Sequence, residues 1–499
     1  MKKTGIILAL LLITVCAFTQ APDWQWATQA GGSFNDRGYE ITIDDAGNSY
    51  VTGRFWETAT FGSYSLTSSG SWDIFVAKMD TGGYWQWATR AGGTHIDYGF
   101  GITTDNAGNS YVTGRFWETA TFGSYSLTSN GNRDIFVAKV DAYGVWQWAT
   151  HAGGTYEDNG KAITIDDTGN SYVTGIFTGT ATFGSYSLTS NGWDDIFVAK
   201  MDANGNWLWA TQAGGIDYDS GYGITIYDAG NSYVTGWFRE TATFGSYSLT
   251  SSGLRDIFVA KMDSNGNWLW ATRAGGVFYD WGYGITIDNT GNSYVTGIFT
   301  GTATFGSYSL TSNGWDDIFV AKIDANGNWL WATKAGGTSY DMGYGIAIDD
   351  AGNIYVTGCF EDTATFGLYS LTSSGYFDIF VAKLNSSVFA ENEIIPLEMR
   401  LSNYPNPFNP STTISFETTS LHQGYARQAN LHENARIEIY NLKGQKIKSF
   451  PIYQFTNSPV HQITWNGTDE SSKPVSSGIY FYKLRSGDIE ISKKMLLLK

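Results

Sequence analysis

Six aspartates occupy one position of a tandem repeat: Asp36, Asp97, Asp158, Asp219, Asp280 and Asp341. Carboxylates gathered on one rim repel each other unless a cation or hydrogen bonds compensate them, and hard oxygen ligands of this kind suit calcium. The six are therefore candidate calcium ligands, and calcium is the only cofactor the sequence suggests. The competing role is a loop tether, each carboxylate accepting backbone N–H groups of its own link. A second invariant series, Asp73, Asp134, Asp195, Asp256, Asp317 and Asp378, is expected to tether in the same way. The Asp-Ala-Asn-Gly-Asn turns, such as Asp202 to Asn206, lack the distal Glu of a calcium loop and fit a hairpin instead.

The tryptophans divide by position. Twelve of the 20 form pairs at spacing i, i+2, such as Trp207 and Trp209, which places both on one strand face for packing between repeats. Trp56, Trp72, Trp117, Trp193, Trp237, Trp281 and Trp315 fall on or beside the segments that vary between copies. A flat apolar ring among Asp and Asn groups is what sugar recognition requires. Trp56, Trp117, Trp193, Trp237, Trp281 and Trp315 are thus candidate ligand-binding residues, set against a role in covering the sheet edge. Trp193 and Trp315 share the context Asn-Gly-Trp-Asp-Asp, which suggests one subsite used twice.

Catalysis needs an unequal set of groups, and few positions break the symmetry. Glu40 and Ala162 replace a Gly, Lys161 replaces an aromatic residue, and His151 stands where Gln, Arg or Lys occurs in other copies. Glu40, Lys161 and Glu157 form a conceivable acid/base set, but they come from repeats that are not all adjacent. No nucleophile with a positioned base is visible, so no catalytic residue is assigned. Five His and two Cys, Cys16 and Cys359, offer neither zinc-ligand spacing nor a disulfide framework.

These residues are carried by a repeat of fixed period. Copies open at Trp24, Trp85, Trp146, Trp207, Trp268 and Trp329, 61 residues apart without slippage. A period of this size marks one supersecondary unit per copy, each burying its faces against its neighbours. From the fourth copy into the opening of the fifth, Gly221–Ile226, Ser232–Phe238, Asp256–Met262 and Asn267–Ala274 alternate with period two and read as four strands. The first and second strands, and the third and fourth, are joined by short Asp/Asn/Gly turns. The fourth-to-first and second-to-third links vary most and lie on one face of an antiparallel unit. Radial repetition of four antiparallel strands is the propeller solution to open sheet edges. The first copy begins at a fourth strand and the last stops after a third, so the N-terminal strand is expected to close a six-bladed ring.

Composition narrows the class. Charged residues make up 15% and aromatics 16%, which fits a packed chain. The formal net charge is −17, yet from Leu401 onward there are 11 Lys and Arg against 7 Asp and Glu, so the acidic excess lies in the repeats. An acidic repeat region argues against nucleic acid and anionic membranes as partners. Residues 1–20 read as a signal peptide, with Lys2 and Lys3 before the apolar run Ile6–Val15, and no other stretch is apolar for long enough to span a membrane.

The repeat resembles the bacterial SBBP β-propeller repeat family, on the pattern Gly-x-Gly-Ile…Gly-Asn-x-Tyr-Val-Thr-Gly…Asp-x-Phe-Val-Ala-Lys over Trp24 to Ser386. The resemblance implies a fold more than an activity. After a non-repeating linker, 388–400, residues 401–499 carry Pro-Asn-Pro-Phe-Asn-Pro (Pro405–Pro410), Ser-Gly-x-Tyr-x-Tyr (Ser477–Tyr482) and a terminal Lys-Met-Leu-Leu-Leu-Lys. These resemble the C-terminal sorting domain of the type IX secretion system, which implies export through the periplasm to the outside or the outer surface. The expected architecture is all-β: a six-bladed β-propeller over 22–387, then a small Ig-like β-sandwich. The expected role is non-enzymatic binding of a glycan or surface protein, with the secretion machinery as partner of the tail. A polysaccharide hydrolase or lyase and a purely structural matrix protein are the rival classes.

Overall fold

Alternating β-branched and aromatic residues fold each repeat as an antiparallel meander. In the second repeat the strands are Tyr98–Thr104, Ser110–Phe122, Tyr125–Val140 and Trp146–Gly154. Asp105 sets the first turn: its Oδ1 accepts the N–H groups of Ala107 and Asn109, while Gly108 takes φ 77°. Asp202 uses Oδ1 in the same way for Asn204 and Asn206, so this turn is the hairpin expected of it. The computed structural model describes residues 28–384 (except 229 and 350–351), 399–418, 436–452, 460–486 and 489–498. The expected signal peptide, Trp24, Trp26 and most of the expected linker lie outside the described residues. The chain divides into two units, Met1–Ser387 and Val388–Lys499, and the described residues contain strands but no helix.

The core of the first unit lies in the seams between successive repeats. Ile74, Val76 and Trp87 of the first repeat pack with Ile102, Val112, Phe116, Phe122 and Phe136 of the second. Later seams repeat this set, so a single repeat cannot bury its own apolar faces. The first strands form an inner row. Tyr39 and Phe100 stand 5.2 Å apart, Tyr222 and Tyr283 5.2 Å, and Tyr283 and Tyr344 5.3 Å between ring centroids. Lys161 interrupts the row with its Nζ 4.6 Å from the Phe100 ring and 5.6 Å from that of Tyr222.

Two expectations are corrected. The paired Trp do not share a face. A register shift between Lys139 and Val140 places an extra residue between Trp146 and Trp148, and a bulge of this kind reverses side-chain parity. Trp146 then donates to the Arg90 carbonyl of the preceding repeat at 3.0 Å, and Trp148 to the Ala203 carbonyl of the following one at 3.2 Å.

The second-to-third link is not a loop. Beyond a bulge at Glu118 (φ 58°), Thr119–Phe122 pair with Tyr125–Thr128 as a hairpin arm. The arm also pairs with the preceding repeat, Gly92 with Thr121 and Gly93 with Ala120. A Cβ on Gly93 would lie 1.9 Å from the Thr119 carbonyl oxygen, so this approach admits only glycine.

Most of the expected closing strand, residues 24–27, lies outside the described residues, and among those described no pairing closes the ring. Ala30 and Gly31 pair with Phe61 and Thr60 of the first repeat, and the third strand of the sixth repeat, Tyr369–Leu384, pairs only with its own second strand. Ile41 (57% exposed) and Ile379 (81% exposed) remain open, whereas their counterparts Ile102 and Ile135 are buried.

The second unit contains a three-stranded sheet (Met399–Tyr404, Thr412–Thr418, Val460–Trp465) and a four-stranded sheet (Arg436–Asn441, Lys446–Pro451, Gly478–Ser486, Ile489–Leu497). They enclose Leu401, Phe408, Ile414, Ile439, Trp465 and Tyr482. The Pro-Asn-Pro-Phe-Asn-Pro segment belongs to this core. Phe408 packs tilted against Trp465 at 5.5 Å, and its backbone bonds both Leu496 and Leu498 at the end of the last strand.

Candidate functional site

The variable links meet at each seam. The link before Asp97 donates the Asp97 N–H to the Trp72 carbonyl at 2.8 Å, and Asp158 and Asp280 repeat the bond to Arg133 and Arg255. Two positions beside this contact, 18 residues apart on the second and third strands, decide the chemistry of each seam. In chain order they read Arg54/Trp72, Arg115/Arg133, Ile176/Asp194, Trp237/Arg255, Ile298/Asp316 and Cys359/Phe377. One scaffold thus presents different groups at successive seams.

The Asp series does not form a cation ring. Asp97 Oδ2 accepts the Gly93 N–H at 2.7 Å and Oδ1 the Trp117 N–H at 2.9 Å. Asp36, Asp158, Asp219 and Asp280 make the equivalent two bonds within their own links, and Asp341 accepts the Gly337 N–H at 2.6 Å. Among the described residues no group of three or more His, Cys, Asp or Glu is arranged to hold a metal ion. Backbone geometry explains why: a carboxylate that satisfies two buried N–H groups faces its own loop. Burial raises the Asp97, Asp158 and Asp280 carboxyls to about 7 and that of Asp219 to about 8, opposed by those N–H bonds.

The six candidate tryptophans separate into covered and open rings. Trp56 lies between Phe34 (4.6 Å) and Trp72 (5.3 Å), and Trp117 lies between His95 (4.8 Å) and the Arg133 guanidinium (5.5 Å). Trp237 is only 7% exposed, under Arg255 at 4.0 Å and stacked on Trp281 at 6.1 Å. These positions are corrected from open platforms to packed or half-buried ones, because a neighbouring cation or aromatic ring covers each face. Trp193 (59% exposed) and Trp315 (62% exposed) are open. Trp193 stacks at 12° on Tyr218, 5.5 Å away, and Trp315 at 16° on Tyr340, 5.8 Å away. Beside them Asp194 and Asp316 accept the hydroxyls of Thr178 and Thr300, both at 2.6 Å. A hollow of about 330 Å³ lies elsewhere, at an arm lined by Leu66, Ala88, Arg90 and Trp146.

The symmetry-breaking charges do not assemble into an acid/base set. Glu40 accepts the Ile102 N–H at 2.7 Å, and burial raises its carboxyl to about 8. Glu157 is held by Arg115 and by Arg133 at 2.8 Å. Burial, reinforced by Arg115, pushes Lys161 down to about 8, against Glu157 and Asp194. Sequence reasoning missed Arg54, Arg115, Arg133 and Arg255, because each meets partners that only the fold brings to it, some of them from the following repeat. The signal that finds them is the joint variation of the two positions 18 residues apart.

Residues 25–54, 86–115, 269–297 and 330–358 match the model for the Beta-propeller repeat, and residues 402–498 match the Secretion system C-terminal sorting domain. The chain carries SBBP-type β-propeller repeats and a type IX sorting tail. The tail implies export and a secreted or surface location, and points to the type IX machinery as its partner. No helix among the described residues is long and apolar enough to cross a membrane.

Curated relatives include an uncharacterised WD repeat-containing protein of Acanthamoeba polyphaga mimivirus, 26% identical over 68% of this chain and 31% of that protein. The regulatory protein FlaEY of Caulobacter vibrioides is 26% identical over 56% of this chain and 32% of its own length. The chain therefore spans about a third of these relatives. Among solved structures, PorZ of Porphyromonas gingivalis, a surface component of the type IX secretion system, is 12% identical with a TM-score of 0.31, over 94% of this chain and 60% of that one. Dimeric latent PorU of the same organism is 10% identical with a TM-score of 0.18, over 93% of this chain and 32% of that one.

Proposed function

We propose that this protein is an exported, surface-associated binding protein without catalytic activity, whose six repeats over 22–387 act as blades that present a recognition face for glycans. The observation that supports this most is the duplicated subsite. Trp193, Tyr218 and Asp194 at one seam, and Trp315, Tyr340 and Asp316 at another, each offer an open ring with a carboxylate beside it. A pyranose ring stacks its C–H face on an indole while hydroxyl groups donate to a carboxylate. Two equal weak sites on one rigid unit gain from multivalency when the ligand is a polymer.

The test is a glycan array probed with the full chain, followed by calorimetry on the ligands retained. Replacing both Trp193→Ala and Trp315→Ala is expected to weaken binding by about tenfold or more, since losing a stacked ring costs roughly 1.5 kcal/mol per site. An array without retained glycans sinks the reading in favour of a structural role. Shortening of a bound polysaccharide would move it to the hydrolase or lyase class.

A further inference from the structure

The seam between the fourth and fifth repeats contains three buried hydrogen-bond donors without an acceptor: Arg255 Nε, Trp237 Nε1 and Trp281 Nε1. They belong to one cluster. The Arg255 guanidinium carbon lies 4.0 Å from the Trp237 ring, 5.3 Å from that of Trp281 and 5.5 Å from that of Tyr279. A buried donor left unpaired costs about 1–3 kcal/mol, and more when it is charged. Three in one place call for an explanation.

The repeat supplies its own comparison. Two copies earlier, Arg133 occupies the position of Arg255, and Glu157 pairs with its Nη1 at 2.8 Å, although its Nε is likewise buried without an acceptor. The counterpart of Glu157 in the later seam is Tyr279, and Arg255 has no carboxylate partner among the described residues. The neighbouring carboxylates are engaged. Asp256 is held by Arg273 at 2.7 Å and by the Ser252 N–H, Asp280 by Gly276 and Thr300, and Asp316 by Thr300. The fold thus keeps the cation of the Arg133–Glu157 pair and replaces its anion by an aromatic wall.

We propose that this seam binds a uronic-acid residue of an acidic polysaccharide, with the sugar carboxylate on Arg255 and the pyranose ring against Tyr279, which is 45% exposed. The guanidinium fork matches a carboxylate in two bonds. The indole N–H groups supply further donors to the carboxylate oxygens, and the open Tyr279 ring supplies the apolar platform. The proposal rests on the glycan reading above for its class of ligand, and adds a different seam and a charge preference.

The experiment is calorimetry of the full chain with an oligogalacturonate and with the neutral galactose oligomer of the same length and linkage. The uronate is expected to bind at least about tenfold tighter, as a charge-assisted bidentate pair implies. Arg255→Gln removes the preference. Tyr279→Glu also removes it, by placing on the chain the carboxylate that Glu157 provides to Arg133. Both variants are expected to keep the parent melting transition and the neutral-sugar binding at Trp193 and Trp315. Equal affinity for the two oligomers overturns the proposal, as does a preference that survives both variants. Competition by acetate at the carboxylate concentration of the oligogalacturonate also overturns it, since the site would then take any carboxylate. Neutral binding without a uronate preference sinks this proposal alone. Uronate binding that requires Arg255, without neutral binding at Trp193 and Trp315, sinks the duplicated subsite alone.

Discussion

Asp97 shows how one residue type serves two ends within this repeat. Its carboxylate joins the end of one strand, through Gly93, to the bulge region of another, through Trp117. Asp97→Ala leaves both N–H groups buried without an acceptor, and two such groups cost about 2–5 kcal/mol. Chemical denaturation of the full chain is expected to show an early loss of the repeat-unit signal. Glu118 presents the opposite case. It holds φ 58° at the bulge, where the third and fifth repeats use Gly179 (φ 68°) and Gly301 (φ 66°). The left-handed region costs a side-chain-bearing residue about 1 kcal/mol, so Glu118→Gly is expected to stabilise by about that amount in the same assay. Its backbone bond to Ser129 Oγ does not depend on the side chain.

The strands and their turns were legible from the residues, because both are local. Alternation over Ser232–Phe238 and the Asp-Ser-Asn-Gly-Asn turn each specify their own geometry within a few residues. What was not legible depends on contacts between copies. Nothing in Trp146-Gln147-Trp148 announces the bulge that turns the two rings to opposite seams, and Glu157 meets Arg115 across 42 residues. The arms were hidden because Thr-Ala-Thr-Phe-Gly-Ser-Tyr reads as a link until its partner, a Gly-Gly pair in the preceding copy, is seen to receive it. The arm ladder makes its own prediction. Gly93→Ala drives a Cβ into the Thr119 carbonyl and is expected to cost about 2–4 kcal/mol through lost pairing and backbone shifts. Gly375→Ala in the sixth repeat meets nothing within 4 Å and is expected to stay within about 0.5 kcal/mol. Equal effects of the two substitutions on the melting temperature would mean that the arm does not tie the repeats together.

At the scale of the whole molecule the two Asp populations act in opposite directions on stability against pH. The seam carboxyls have folded values raised by burial: Asp73 and Asp134 to about 6, Asp97, Asp158, Asp195 and Asp280 to about 7, and Asp219 to about 8. Ordinary carboxyls in the unfolded chain sit near 4. The folded protein therefore binds more protons than the unfolded one between about pH 4 and pH 8, and stability falls as pH rises through that window. The turn carboxyls, including Asp166, Asp202, Asp263, Asp288 and Asp324, are held below the usual range by Asn and backbone N–H donors, working against their own burial. Their contribution is present above about pH 4 and is lost as pH falls through their folded values. Because both series recur with the repeat, their small slopes accumulate along the chain. The melting temperature is expected to peak near pH 5, to fall toward pH 9 as the seam carboxylates are forced to ionise in their buried links, and to fall again toward pH 2 as the turn carboxylates are protonated. Asp219→Asn keeps an acceptor for one of the two N–H groups and removes one titrating seam group, so it is expected to flatten the alkaline limb while lowering stability at pH 5. A melting temperature that rises steadily from pH 5 to pH 9 would show that the seam carboxylates are fully charged in the folded state, with cations or water compensating them after all.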